Sequence, residues 1–281
     1  MSQSKLSNTA LVAQTSAFQP SGDASHTPQR RAFLKGLGSL ALATSAVSLL
    51  GCGRSAETTG TETTTSSSTG STGSTGGSGT ITPGQCVLIP EETAGPYPLS
   101  SVLSNTALIR SNITESRDGV PLTIQLKIQD YSSSCAPASG IVVYLWHCDK
   151  DGLYSGYNQP GGNTLGQTFM RGIQTSDSEG LVTFKTIYPG WYSGRITHVH
   201  FQVFRQSATG TLIATSQFAF PAEVTTAVYN STLYSGRGQN TSVRSFSEDN
   251  VFNDSTEYQM PTLSGNVADG YVATLVVNIP V

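Results

Sequence analysis

Two histidines of this 281-residue chain stand one residue apart, as His198-Val199-His200. They lie in a run that reads as a β-strand, where alternate side chains share a face. Both imidazoles therefore project the same way, a few ångströms apart, which makes a natural half of a metal site. The spacing alone fits a surface or hydrogen-bonded histidine pair equally well. A neighbouring carboxylate would point to ferrous iron in a facial triad or to zinc with bound water. No Asp or Glu occupies the strand or the loop before it.

What surrounds the pair is tyrosine. Upstream runs Ile187-Tyr188-Pro189-Gly190-Trp191-Tyr192-Ser193-Gly194-Arg195, and further back Trp146-His147-Cys148 leads through Asp149-Lys150-Asp151-Gly152 to Tyr154-Ser155-Gly156-Tyr157. Phenolate is a hard anionic oxygen donor and favours a trivalent cation. A free tyrosine has a pKa near 10, but bound Fe(III) would hold it deprotonated. Two histidines and two tyrosines thus point to one non-haem Fe(III) per chain. Its net charge, near +1, would take a dianionic diol in preference to a neutral ligand.

The segments around these residues read as strands. Leu122-Thr-Ile-Gln-Leu-Lys-Ile-Gln alternates with period two, placing Leu122, Ile124, Leu126 and Ile128 on one face. Runs 141–148, 180–187, 198–204, 211–220 and 270–279 read likewise. Turn signals separate them at Asp149–Gly152, Ser178–Gly180 and Ala208–Gly210. No apolar stretch of helical length and period follows residue 81. The expected fold is all-β, a β-sandwich of mostly antiparallel strands. Long loops over 154–171 and 222–257 are expected to shape the active site.

The chain's first third is of another kind. Gln29-Arg30-Arg31-Ala32-Phe33-Leu34-Lys35 reads as a twin-arginine signal, followed by a short apolar run from Gly36 to Gly51. It closes on Leu49-Leu50-Gly51-Cys52, which resembles the lipobox of bacterial lipoproteins and implies lipidation of Cys52. Residues 55–80 hold only Ser, Thr, Gly, Glu and Ala, a composition that cannot bury apolar surface. The expected organisation is a signal peptide over 1–51, a lipidated cysteine and tether over 52–80, and a catalytic domain over 81–281. The tether would span roughly 25–30 Å as a random coil. The protein is expected to be exported by the twin-arginine route and lipid-anchored in the cell envelope, on the periplasmic or cell-surface side. Without residues 1–51 the chain carries 11 bases against 17 acids, which argues against nucleic acid as a partner. Cys86, Cys135 and Cys148 would then face an oxidising compartment, where one disulfide is plausible and Cys86–Cys135 is the favoured pairing.

Three further motifs, in order, carry a resemblance over 86–281. Glu92-Thr93-Ala94-Gly95-Pro96-Tyr97 is similar to the Thr-x-Gly-Pro-Tyr segment of the intradiol ring-cleavage dioxygenases, the group of catechol and protocatechuate dioxygenases. The run from Val143 to Tyr154 resembles their Trp-His-x-x-x-x-Gly-x-Tyr-Ser strand and loop. Pro189-Gly190-Trp191-Tyr192 with Arg195 and His198-Val199-His200 resembles their Pro-x-x-Tyr … Arg-Pro-x-His-Ile-His-Phe segment. The resemblance implies Tyr154, Tyr192, His198 and His200 as iron ligands; Tyr157 and Tyr188 then read as ordinary half-buried packing, and His147, alternating away from Trp146, reads as structural. It implies that Arg195 stabilises negative charge on the substrate ring, that Gln217 contacts substrate, and that Gly95 and Pro96 line the pocket mouth. Tyr192 would leave the iron as a catechol binds and take up a substrate proton. The implied activity is cleavage of a catechol-type aromatic diol by O2 to a muconate-type diacid. The family's Arg-Pro-x-His is here Arg195-Ile196-Thr197-His198, without the proline. A non-catalytic β-sandwich binding module at the cell envelope and a zinc hydrolase built on the histidine pair are the alternatives. The diol and the oligomeric state stay open.

Overall fold

The structure, a computed structural model, describes residues 86–281. The expected signal peptide (1–51), the lipidation site Cys52, the tether (52–80) and the first five residues of the expected catalytic domain lie outside the described residues. In chain order the strands are β1 (Pro121–Asp130), β2 (Ala136–Pro137), β3 (Ile141–Trp146), β4 (Asn158–Gln159), β5 (Gly162–Asn163), β6 (Arg171–Thr175), β7 (Leu181–Ile187), β8 (His198–Arg205) and β9 (Leu212–Ala219). One helix, α1 (Ala222–Tyr229), follows, and β10 (Thr262–Asn266) and β11 (Gly270–Ile279) end the fold.

Two sheets pack face to face. In the first, β1 lies between β11 on one side and β7 on the other, with β2 pairing at its end and β10 outside β11. The second runs β6-β3-β8-β9 and is antiparallel throughout. The expected sandwich is present, and the β1–β11 pair is parallel within it.

The alternation in β1 does what its period requires: Leu122, Ile124, Leu126 and Ile128 are buried and Lys127 is exposed. They meet Val143 and Leu145 of β3, Val199, Phe201 and Val203 of β8, and Ala273, Leu275 and Val277 of β11 in one apolar core. β3 is buried at all six positions, so its sequence shows no alternation. Its other face, Val142, Tyr144 and Trp146, joins Leu108, Cys148 and Tyr154 in a second apolar cluster. The outer face of the second sheet is therefore roofed by loops, and a dry site can form between sheet and roof.

The register sets out that face. Arg171, Trp146, His200 and Gln217 are successive cross-strand partners through β6, β3, β8 and β9, and directly paired residues project to the same side. Disulfide Cys86–Cys135, with its Cα atoms 5.7 Å apart, ties the described start of the chain to the end of β1. Cys148 is free and buried. The pairing is the favoured one.

Beyond the expected strands lie the two-residue β2, β4 and β5, together with α1, β6 and β10. α1 stands where only loop was expected; its eight residues make two turns and bury just Val228 and Tyr229, too little to print a helical period. β6, begun by a buried arginine, and the mostly exposed β10 are short and carry no run of apolar residues. Among the described residues no helix is long and apolar enough to cross a membrane.

Candidate metal centre

Period two in β8 brings His198 and His200 together, with their Nε2 atoms 3.0 Å apart. Tyr154 Oη lies 3.2 Å and Tyr192 Oη 3.3 Å from His198 Nε2. His198 Nδ1 sits 2.5 Å from the carbonyl of Ile196; a carbonyl only accepts, so the proton is on Nδ1 and the Nε2 lone pair faces the cluster. One lone pair cannot accept from three neighbours. His200 Nδ1 is buried with no hydrogen-bond partner among the described residues, so the group does not resolve as a closed hydrogen-bond network. Donors bonded to one ion at about 2.0–2.1 Å, with angles of 90–120°, lie about 2.9–3.5 Å apart. The observed 3.0–3.3 Å falls in that range. The four residues fit a metal ion.

Charge bears on which ion. Burial, then His198 and Arg195 nearby, holds His200 well below the usual imidazole range, and burial pushes His198 down to about 3. Both are neutral donors at pH 7. Burial, then Tyr192, raises the Tyr154 phenol well above its usual value, and burial raises Tyr192 to about 12 against the pull of Arg195. Neither phenol ionises in this pocket without a strong cation beside it. Among the described residues no group of three or more His, Cys, Asp or Glu could hold a metal; the donors beside the histidine pair are phenols.

Each of the four side chains is fixed by its surroundings. The Tyr154 backbone is clamped by Gln159, whose side chain accepts from its N–H and donates to its carbonyl, and by Thr164 Oγ1 at 2.6 Å from that carbonyl. Tyr192 sits on a turn held from the 222–257 segment: Trp191 Nε1 donates to Gly238 O, and Gly194 N to Ser242 Oγ. Trp146 lies flat against His200, with centroids 4.9 Å apart and planes 3° apart. Gly95, at φ +68°, passes so close on another side that a Cβ there would meet His200 Cε1 at 3.0 Å. Tyr154 is fully buried and Tyr192 half-buried.

Arg195 and Gln217 are in direct contact. Arg195 Nη2 donates to Gln217 Oε1 at 2.8 Å, and Gln217 Nε2 donates to Thr93 O at 2.8 Å. Arg195 Nε is forked on Asp249, at 2.9 and 3.2 Å. Pro96 is exposed, next to Gly95.

Tyr188 and Tyr157, expected as half-buried packing, differ in burial: Tyr188 is fully buried and Tyr157 half-buried. Tyr188 is buried in the sandwich core with its hydroxyl on Thr225, and Tyr157 accepts from Leu99 N at 2.7 Å. His147 is wholly buried, with Nδ1 on Cys148 O and Nε2 on Thr186 Oγ1, each at 2.7 Å. Sequence reasoning missed two contributors. Tyr97 stacks on Tyr154 at 4.7 Å, and its place directly after Gly95-Pro96 was the available signal. Asp249 lies in the long 222–257 segment, and nothing in its local sequence marks it.

No protein-family model and no curated protein matches the chain. Solved structures do. An intradiol ring-cleavage dioxygenase from Tetranychus urticae is 28% identical, the match covering 70% of this chain and 96% of that one at a TM-score of 0.60. A second dioxygenase structure is 27% identical over the same shares, also at 0.60. The described domain is structurally similar to the intradiol ring-cleavage dioxygenases, with their mostly β sandwich fold, at low sequence identity.

Proposed function

We propose that the chain is a ferric-iron-dependent intradiol dioxygenase that cleaves a catechol-type aromatic diol with O2 to a muconate-type diacid. The observation that carries this reading is the convergence of Tyr154 Oη, Tyr192 Oη and His200 Nε2 on His198 Nε2 within 3.0–3.3 Å. Two imidazoles and two phenols, with no carboxylate, form a donor set suited to a hard trivalent ion.

Tyr154, His198 and His200 would be the permanent ligands, since each is enclosed and fixed. Tyr192 is the half-buried member, on a turn rather than a strand, and is the group able to yield its place to an incoming diol. Its phenolate oxygen, with a pKa near 12 away from the ion, is then basic enough to hold a substrate hydroxyl proton. Ferric iron, when bound, supplies withdrawal of electron density from the diolate, which opens a ring carbon to O2. Arg195, committed to Gln217 and Asp249, presents a fixed positive charge to an anion forming on the ring. Gly95, lacking a Cβ, lets the backbone close against the His200 edge, and Tyr97, stacked on Tyr154, covers that ring.

The same reading places the domain outside the cytoplasm, exported through Arg30-Arg31 and anchored at Cys52. The Cys86–Cys135 disulfide accords with an oxidising compartment. Mass analysis of the N-terminal peptide tests the anchor: diacylglyceryl on Cys52 is expected, and an unmodified Cys52 or uncleaved signal refutes it. The activity is tested by O2 uptake of the iron-loaded full chain with a panel of catechols. Stoichiometric O2 consumption with formation of a diacid is expected for at least one diol, with losses of 100-fold or more for His200→Ala. An iron-loaded chain inert towards every diol refutes the activity.

A further inference from the structure

Asp249 is fully buried, and Arg195 beside it is 8% exposed. The carboxylate makes five hydrogen bonds. Oδ1 and Oδ2 take the Arg195 Nε–H at 3.2 and 2.9 Å, and Oδ2 also accepts from Ile196 N at 2.7 Å. Oδ1 accepts from Val251 N at 2.8 Å and Phe252 N at 3.2 Å. One carboxylate thus joins the loop after α1 to the turn that enters β8. Burial alone would raise its pKa, but the Ile196 N–H and the guanidinium overcome that and hold it below the usual carboxylate range, so it is ionised. The carbonyl of Ile196, whose N–H Asp249 holds, fixes His198 Nδ1, and Asn240 Nδ2 anchors the Arg195 carbonyl from the same loop at 2.8 Å.

We propose that Asp249 is the positioning residue of the centre: from a loop remote in sequence, it aims the Arg195 guanidinium at the substrate position and holds the Arg195–Ile196 turn that presents His198. Without it, Arg195 Nε loses its acceptor, only the Nη2 bond to Gln217 remains, and a buried cation lacks its counter-charge. Such a cation turns towards water, which removes it from the reacting ring. The family's proline after this arginine is absent here, so the turn depends on Asp249 for a rigidity the backbone does not supply. The inference rests on the proposed function for the meaning of the substrate position.

The test is a double-mutant cycle in the full chain with Asp249→Asn, Arg195→Met and both together. Asparagine keeps the shape but turns a donor towards Arg195 Nε and Ile196 N. Two quantities are read: the melting midpoint of the metal-free chain, and the affinity of the iron-loaded chain for 4-nitrocatechol. Asp249→Asn is expected to lower the midpoint by about 10 °C and to weaken nitrocatechol binding tenfold or more. On the Arg195→Met background the same substitution is expected to shift the midpoint by less than half as much and the affinity by less than threefold. Additive effects overturn the proposal, because Asp249 would then act only as a loop clamp. If Asp249→Asn alone does not fold, the double variant is expected to recover folded protein, and failure of both overturns the proposal equally. A wild-type chain that takes neither iron nor nitrocatechol refutes the proposed function, while the cycle in melting midpoint still decides whether Asp249 and Arg195 are coupled.

Discussion

Gly95→Ala probes the close approach of the backbone to the His200 ring. Gly95 has φ +68°, and an added Cβ would stand 3.0 Å from His200 Cε1. Two costs follow. The left-handed conformation costs a side-chain-bearing residue about 1–2 kcal/mol. The contact requires His200 or the Thr93–Tyr97 backbone to give by a few tenths of an ångström. His200 is stacked on Trp146, with 3° between the planes, and carries one of the donor atoms, so a shift of its ring displaces Nε2. Any movement therefore spreads the donor cluster, whose atoms stand 3.0–3.3 Å from His198 Nε2. Disturbances next to ligands cost about 10–100-fold in metal affinity, and a tenfold loss, about 1.4 kcal/mol, is the least expected here. Gly140→Ala is the control: Gly140 also has positive φ, +76°, but a Cβ there meets nothing within 4 Å. Both variants are expected to lose about 1–2 kcal/mol of unfolding free energy, measured by urea denaturation of the metal-free full chain. Only Gly95→Ala is expected to lose iron affinity, measured by competition with a chelator. Equal iron affinities in the two variants would refute the argument that Gly95 presses on a ligand.

Other expectations follow from the same geometry. Binding of Fe(III) at pH 7 is expected to release about two protons from the two raised phenols, measured by calorimetry in buffers of different ionisation enthalpy; release near zero contradicts phenolate ligation. Arg171 is fully buried, with no carboxylate partner among the described residues, and donates to Ser155 Oγ, Ser155 O and Tyr144 Oη at 2.8–2.9 Å. Arg171→Met is expected to cost about 2–4 kcal/mol by leaving these acceptors unmet, and a loss under 1 kcal/mol in urea unfolding would show that the arginine is dispensable. Burial holds His147 at about 4. Its depressed folded pKa means that the unfolded chain takes the proton first as pH falls. The stability it confers is complete above pH 6.5 and is lost between 6.5 and about 4, to the extent of about 3 kcal/mol. In His147→Gln the decline in unfolding free energy from pH 7 to pH 4.5 is expected to shrink by roughly that amount; an unchanged decline sinks the assignment.

Residues whose role follows from strand periodicity were legible in the sequence. Leu122, Ile124, Leu126 and Ile128 alternate because one face of β1 is core and the other is not, and His198 and His200 share a face for the same geometric reason. The uniform run in β3 revealed a strand but not that its second face carries Trp146 against His200, since burial on both sides erases the period. The pairing of β1 with β11 joins residues about 150 positions apart, and no local pattern encodes that register. Tyr154 and Tyr192 were found through spacing that resembles a family, not through physics at the sequence level. Asp249 shows why: an acid in a long loop looks like any solvated acid until folding buries it against Arg195.

The most direct test of the central claim is metal analysis and visible absorption of the purified full chain, with Tyr154→Phe alongside. One iron per chain and a broad visible charge-transfer band giving a red-brown colour are expected, with the band weakened and shifted in Tyr154→Phe. A protein that carries zinc, or that holds iron yet stays colourless, contradicts the account.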